Sequence, residues 1–290
     1  MSFTKEQGNP GSSEDETQNV NLVADFSVPV EGYPDANVKL FAPNGDASNL
    51  PLIVYIHGGG WCTGTSESVE WYAKLLSSNG FCVANVDYSL APKHMYPAST
   101  IQLTETINYL YDNARLYGYD INNIFIGGNS AGAHLSSQLG AIFTDGGYAN
   151  TIGVQTSVPA GCIKGLILYN GVYNFSNLRK SKFPFVNYLA WAYTGKRNYE
   201  NFERIDELST VKHISTAYPS VFITVGDTDP LEYQTLEFIE MLKTNEVDFT
   251  SLLWTDTNAG LWHDYIYDQT TAEENEAYKN TIEFIKEHVS

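Results

Sequence analysis

The residues with the clearest chemical potential are Gly128-Asn129-Ser130-Ala131-Gly132, a GxSxG pentapeptide. It follows the apolar run 123–126 and opens a helical pattern over 130–143. A serine at such a strand-to-helix turn is held with its hydroxyl beyond the strand end, beside a helix N-terminus that favours developing negative charge. The flanking glycines are needed because the turn is too tight for side chains, which would strike the neighbouring strands. The chemistry this suits is nucleophilic attack through a covalent intermediate. A glycine-rich turn with an incidental serine is the alternative, and the strand before it and helix after it argue against that.

A second, independent pattern is His57-Gly58-Gly59-Gly60-Trp61, at the end of the apolar run 52–56. Glycines let backbone N–H groups converge on an oxyanion without a Cβ in the way. Such a turn could instead cradle a phosphate. GGGW, however, has neither the Walker lysine nor a GxGxxG spacing. His57 lies inside the turn it would have to face, so it is expected to brace the loop rather than act as a base.

Both patterns need a scaffold, and the chain alternates short apolar β-branched runs with helical spacings. Strands are expected at 22–28, 37–43, 52–58, 81–88, 123–126 (followed by a turn to 130), 163–170, 220–227 and 248–254. Helices are expected at 66–80, 98–117, 130–143, 231–244 and about 272–288. Alternation with short connections predicts one α/β domain over 21–290, a mostly parallel sheet covered by helices on both faces. Residues 1–20 are polar, acidic and rich in Gly, Ser and Asn, and are expected to form a disordered tail. The stretch 172–216 is too long for a loop and carries Tyr173, Phe175, Phe183, Phe185, Tyr188, Trp191, Tyr193, Tyr199 and Phe202. It should fold as a small helical insertion: either an excursion whose aromatics fill its own core or a cap lining a substrate pocket, the reading its position just beyond a strand's C-terminal end favours.

Composition narrows the function classes. Lys+Arg 16 against Asp+Glu 34 leaves 290 residues with a net charge of −18, which repels phosphate backbones and anionic lipid. Nucleic acid and membrane partners are therefore not expected, and a homo-oligomer is left open. Cys62, Cys82 and Cys162 are too few and scattered for a disulfide framework or zinc site and suggest a reducing compartment. No apolar run approaches membrane-spanning length, and the first residues lack the apolar core of a secretory signal, so a cytoplasmic location is expected.

The order HGGGW, DYSLAPKHMYPA (87–98), IGGNSAGAHL (126–135), GDTDPL (226–231) and a late histidine resembles the α/β-hydrolase carboxylesterases. It is most similar to the hormone-sensitive-lipase-like branch and the related small bacterial acetyl- and feruloyl-esterase-like group. The resemblance spans about residues 36–288 and implies the α/β-hydrolase fold. Ser89, Lys93 and Asn129 stand where that branch usually carries Arg, Glu and often Asp.

The resemblance also implies a chain order of nucleophile, acid, base. A serine hydroxyl needs a base, and the base an orienting carboxylate. Among the histidines after Ser130, His134 is one turn along the nucleophile's own helix, His213 precedes the acid and His288 lies on the terminal helix, where it is expected to be solvated. His263, in the loop after the last strand, is the expected base. In the resembled motif the acid precedes Pro-Leu, which selects Asp229; Asp227 remains the alternative, with turn capping as its other role. Asp256 and Asp264 are too close in sequence to His263 to be preferred, though they could tune it. Backbone N–H groups of Gly59, Gly60 and Ala131 would form the oxyanion hole, with Gly58 as an alternate donor.

The expected function is a serine carboxylesterase acting on short-chain or sugar-linked acyl esters, a chemistry that calls for no metal or organic cofactor. An amidase, formamidase or small peptidase on the same triad is the competing enzyme. A ligand-binding homologue without catalysis is disfavoured by the presence of all three triad residues.

Overall fold

The computed structural model describes residues 17–45, 48–255, 257–267 and 270–290. Its centre is an eight-stranded sheet in the order β1-β2-β4-β3-β5-β6-β7-β8. The strands are β1 (Val20–Val28), β2 (Ala36–Pro43), β3 (Pro51–Ile56), β4 (Cys82–Val86), β5 (Asp120–Asn129), β6 (Ile163–Tyr169), β7 (Ser220–Val225) and β8 (Phe249–Leu253). β2 runs antiparallel to both β1 and β4, and every other pairing is parallel.

The inner strands read as continuous apolar runs because both faces are covered. Leu52, Val54 and Ile56 of β3 pack with Ile124 and Ile126 of β5 and Leu166 and Leu168 of β6 on one face. Ile53 and Tyr55, Phe125, and Ile167 and Tyr169 take the other. All of these are buried, and each is worth about 1.5–3 kcal/mol relative to exposure. The period-two division leaves no polar face to mark the strand, as expected for parallel sheets.

Helices α1 (Glu70–Ser77), α2 (Ala98–Asp112), α3 (Ala114–Tyr117), α4 (Ala131–Thr144), α5 (Gly146–Ile152), α6 (Val186–Thr194), α7 (Ile205–Leu208), α8 (Glu232–Thr244) and α9 (Ala272–His288) complete the fold. Tyr72 and Leu76 of α1 and Phe284 and Ile285 of α9 cover one face, while α2, α4 and α8 cover the other.

Several boundaries differ from expectation. The helix expected over 98–117 is broken at Asn113, whose φ of −105° and ψ of 9° separate α2 from α3. The helix expected over 66–80 begins as a 3₁₀ turn, Ser66–Val69, and ends at Ser77. α5 was not foreseen. Of the expected tail, residues 1–16 lie outside the described residues, and Val20 is already paired with Pro43 in the sheet. Residues 172–216 do fold as short helices: α6, α7 and 3₁₀ turns at Phe175–Lys180, Tyr199–Asn201 and Thr210–Lys212.

No described helix is long and apolar enough to cross a membrane. Cys62, Cys82 and Cys162 are free thiols, and burial pushes Cys62 up to about 11 and Cys82 to about 12.

Candidate active site

The sheet sets the site before any side chain does. β3 and β5 are adjacent and parallel, with Ile56 opposite Gly128, so the glycine loop after β3 and the serine turn after β5 emerge side by side. The chain leaves β3 for β4 on one side and β5 lies on the other, a topological switch point that opens a crevice at the strands' C-terminal ends.

Ser130 sits at the tip of the β5–α4 turn with φ 53° and ψ −117°. A non-glycine residue there is held against steric preference, and the surroundings hold it: Ser130 N–H donates to the Tyr169 carbonyl (2.8 Å), and its own carbonyl accepts from His134 N–H (3.0 Å). The glycine requirement is literal. A Cβ on Gly128 or on Gly132 would lie 2.1 Å from the Ile56 carbonyl oxygen.

In the neighbouring loop, Gly59 has φ 109°, and a Cβ on it would lie 2.0 Å from the Thr63 carbonyl oxygen. Cys62 and Thr63 N–H groups both close onto the Gly59 carbonyl, at 3.1 and 3.0 Å. Among the described residues no acceptor takes the N–H of Gly59 or Gly60. Ala131 is the first residue of α4, whose opening N–H groups have no side-chain cap. These donors are the ones expected for an oxyanion hole. His57 braces the loop, as expected: its Nδ1 lies 2.7 Å from the Gly58 carbonyl, its ring stacks on Tyr88 at 4.3 Å, and burial lowers its pKa.

The loop after β8 brings in His263. Its Nδ1 is 2.8 Å from Oδ2 of Asp229, which stands in the β7–α8 turn with Oδ1 accepting from Leu231 N–H (2.8 Å). Asp227 is elsewhere: it caps the same histidine loop by accepting from Gly260 and Leu261 N–H at 3.1 and 2.7 Å. Of the two carboxylates, Asp229 is thus the one paired with His263, and Asp227 caps the loop. His263 Nε2 is buried with no hydrogen-bond partner. Burial lowers the pKa of His263, but the Asp264 and Asp229 carboxylates outweigh it and raise the imidazole to about 9.

Four residues outside the expected catalytic set join the halves. Asn129 Nδ2 donates to Asp264 Oδ1 at 2.7 Å, tying the serine turn to the residue after His263. Tyr267 O–H donates to Asn129 Oδ1 at 2.8 Å, and Tyr55 and Tyr267 hydroxyls pair at 2.6 Å. Asn129 belongs to the GxSxG turn and Asp264 adjoins the expected base, but no local pattern marks Tyr55 or Tyr267, and the non-glycine φ of 64° at Asp264 becomes visible only in the fold. Asp256 lies outside the described residues.

His134, His213 and His288 make structural contacts. His134 accepts at Nδ1 from Trp61 Nε1–H (3.1 Å), so Nε2 carries the proton and donates to the Leu208 carbonyl (3.0 Å). His213 stacks on Tyr148 at 3.9 Å. His288, expected to be solvated, is instead held: its Nδ1 meets the Phe284 carbonyl at 2.8 Å and its Nε2 meets Asp248 at 2.9 Å.

The insertion walls the site from above. The Phe183 ring meets the His263 ring edge-on at 4.6 Å, and a Cβ on Gly60 would lie 2.7 Å from Leu189 on α6. A cleft of about 710 Å³ also lies behind the glycine loop, lined by Asp35, Asp87, Tyr88, Ser89 and His94, but none of Ser130, Asp229 and His263 reaches it. Among the described residues no cluster of three or more His, Cys, Asp or Glu could hold a metal.

Comparison with known proteins bears on the family and the fold. Residues 38–237 match the family described as BD-FAE. Carboxylesterase NlhH of Mycobacterium tuberculosis is 32% identical over 126 residues, covering 43% of this chain and 40% of that protein. The matches span 36%, 42% and 40% of three such relatives, so this chain aligns with less than half the length of each. Among solved structures, a bacterial heroin esterase superposes with TM-score 0.77 at 22% identity over 94% of this chain and 86% of its own. Esterase B from Lactobacillus Rhamnosis superposes with TM-score 0.82 at 19% identity, over 96% and 90%. Likeness at that identity establishes the fold, which is that of the α/β-hydrolases.

Proposed function

The chain belongs to the BD-FAE family, and from that premise we propose that it is a serine carboxylesterase cleaving short-chain or sugar-linked acyl esters. The observation that carries the reading is the 2.8 Å Asp229–His263 pair, on a loop tied through Asn129 to the turn bearing Ser130. The relatives named carboxylesterase and the esterase folds support it.

In this mechanism Ser130 Oγ attacks the ester carbonyl carbon while His263 Nε2 takes the hydroxyl proton. Asp229 fixes the tautomer by accepting Nδ1–H and stabilises the imidazolium that forms. The carbonyl oxygen gains negative charge and is held by N–H groups of Gly59, Gly60 and Ala131. One such donor is worth about 2.7–4 kcal/mol in a water-excluded site. Collapse breaks the bond to the alcohol oxygen, which leaves with the proton from His263. Water, deprotonated by His263, then attacks the acyl-enzyme, and the acid and Ser130 are released. The wall of Phe183 and Leu189 limits the acyl group, because each methylene gains about 0.8 kcal/mol of burial whereas overpacking costs about 1–3 kcal/mol.

A panel of 4-nitrophenyl acetate, butyrate, octanoate and palmitate, run beside acetylated sugars, tests this. The expected kcat/KM peaks between acetyl and butyryl and falls steeply by octanoyl. Esters bearing a carboxylate are expected to be poor and to improve with salt, since the chain carries a net charge of −18. A maximum at octanoyl or longer would sink the walled-pocket reading, and an absence of ester turnover would sink the function.

A further inference from the structure

Asp264 has a placement that the two-step mechanism does not use. Its Oδ1 lies 3.7 Å from His263 Nε2, on the opposite side of the ring from Asp229, and its side chain is 40% exposed where that of Asp229 is fully buried. The position is built rather than incidental. Asn129 Nδ2 donates to the carboxylate, Tyr267 O–H holds Asn129 Oδ1, and the buried Tyr55 hydroxyl backs Tyr267. His263 Nε2, buried and without a hydrogen-bond partner, faces this carboxylate.

We propose that Asp264 is a positioning residue for His263: a second carboxylate, held by Asn129, that favours the imidazolium from the Nε2 side and so sets the pH at which the base becomes available. The inference rests on His263 serving as that base. It also accounts for asparagine at position 129. An aspartate there would set two carboxylates 2.7 Å apart, whereas the asparagine amide donates to one.

The charges around the ring are few. Asp229 faces Nδ1 from the β7–α8 turn, Asp264 faces Nε2 from the histidine's own loop, and Phe183 from the insertion brings no charge. Tyr55 and Tyr267 stay neutral, since burial pushes both phenols up. With carboxylates on both sides, an imidazolium is stabilised twice, and a neutral imidazole appears only at alkaline pH.

The backbone at Asp264 selects the variants. With φ at 64°, Asn and Gly are the substitutions the conformation accepts best. In Asp264→Asn the amide oxygen can still accept from Asn129, so charge is removed and the hydrogen bond kept. Asp264→Gly removes the side chain and provides a second reading should the first variant fold poorly. The His263 ring is titrated by NMR in the parent and both variants, its signal assigned by its loss in His263→Gln. The pH dependence of kcat/KM on 4-nitrophenyl acetate is measured alongside.

The expected result is a parent imidazole titrating near 9 that falls by about one unit or more in both variants. The ratio of kcat/KM at pH 7 to its alkaline plateau should then rise about tenfold per unit lost. A merely structural Asp264 would change activity or stability without moving the titration. An unchanged imidazole pKa in a folded variant overturns the proposal. A shifted imidazole in a protein without ester turnover would instead overturn the esterase reading and leave the Asp264–His263 coupling standing.

Discussion

Two histidines lie on either side of the Ser130 turn, and what most separates them is the charge of their neighbours. His134, behind the turn on α4, is fully buried and bonded at both nitrogens to neutral groups, Trp61 and the Leu208 carbonyl. Desolvation therefore acts nearly unopposed there and lowers its pKa to about 4. His263, in front of the turn, keeps its side chain 6% exposed and stands between Asp229 and Asp264, and its pKa is raised to about 9. Burial by itself disfavours the cation in both, and the neighbours decide which way the ring moves. A histidine wired to neutral partners on both sides is a brace. One with a carboxylate at Nδ1 and an Nε2 that makes no hydrogen bond is equipped to move a proton.

The largest test of that contrast exchanges the two fates. His263→Ala is expected to lower kcat by at least about 10³-fold while the protein stays folded. His134→Ala should do the reverse. It leaves the Trp61 N–H and the Leu208 carbonyl unpaired in a dry cavity, which is expected to cost about 3 kcal/mol in urea unfolding. The kcat of the folded fraction should change less than about tenfold. A folded but inactive His134→Ala beside an active His263→Ala would invert the assignment.

A smaller effect separates the two carboxylates of the β7–α8 turn. Asp229→Asn leaves the wrong tautomer facing Nδ1 and should lower kcat by up to about 10⁴-fold, less than complete loss of the base costs. Asp227→Asn weakens only the bonds to Gly260 and Leu261 and should cost about 1 kcal/mol of stability with little loss of kcat. Near-normal turnover in Asp229→Asn with a dead Asp227→Asn would transfer the acid role.

The finest test is the sign of the pH dependence. The raised pKa of His263 means that its contribution to stability is full below pH 6.5 and is lost as pH rises through about 9. Activity runs oppositely, increasing toward pH 9 as neutral imidazole appears. The lowered pKa of His134 makes its contribution full above pH 6.5 and lost as pH falls toward 4. Thermal unfolding of the two alanine variants against the parent should therefore differ mainly on the alkaline limb for His263 and on the acid limb for His134. Two variants with the same pH signature would break the comparison.

Much of the site could be read from short stretches of chain because its parts are local. GxSxG and HGGGW are each a few bonds long, and their glycines answer to contacts within the turn they make and the strand beside it. The sheet was legible too, since strands buried on both faces leave apolar runs. α5 was not. Gly146 and Gly147 open it with poor helix propensity, and it stands on the Asp145 side chain accepting from Gly147 and Tyr148 N–H and on Gly153 closing it at φ 92°. Those capping residues are present in the sequence, but two glycines masked them.

The choice between Asp227 and Asp229 and the part played by Asp264 belong to another order of information. Asp227 and Asp229 are two residues apart, share composition and turn, and differ in which atoms of a loop some 34 residues on they face. Asp264 adjoins its histidine, yet its place at Nε2 depends on Asn129, 135 residues earlier, and on Tyr267 and Tyr55 behind it. Local motifs encode chemistry wherever the chain satisfies its own geometry within one turn. Protonation is instead set by charges converging from distant segments, through a low-dielectric space that exists only once the sheet, the insertion and the histidine loop have closed around it.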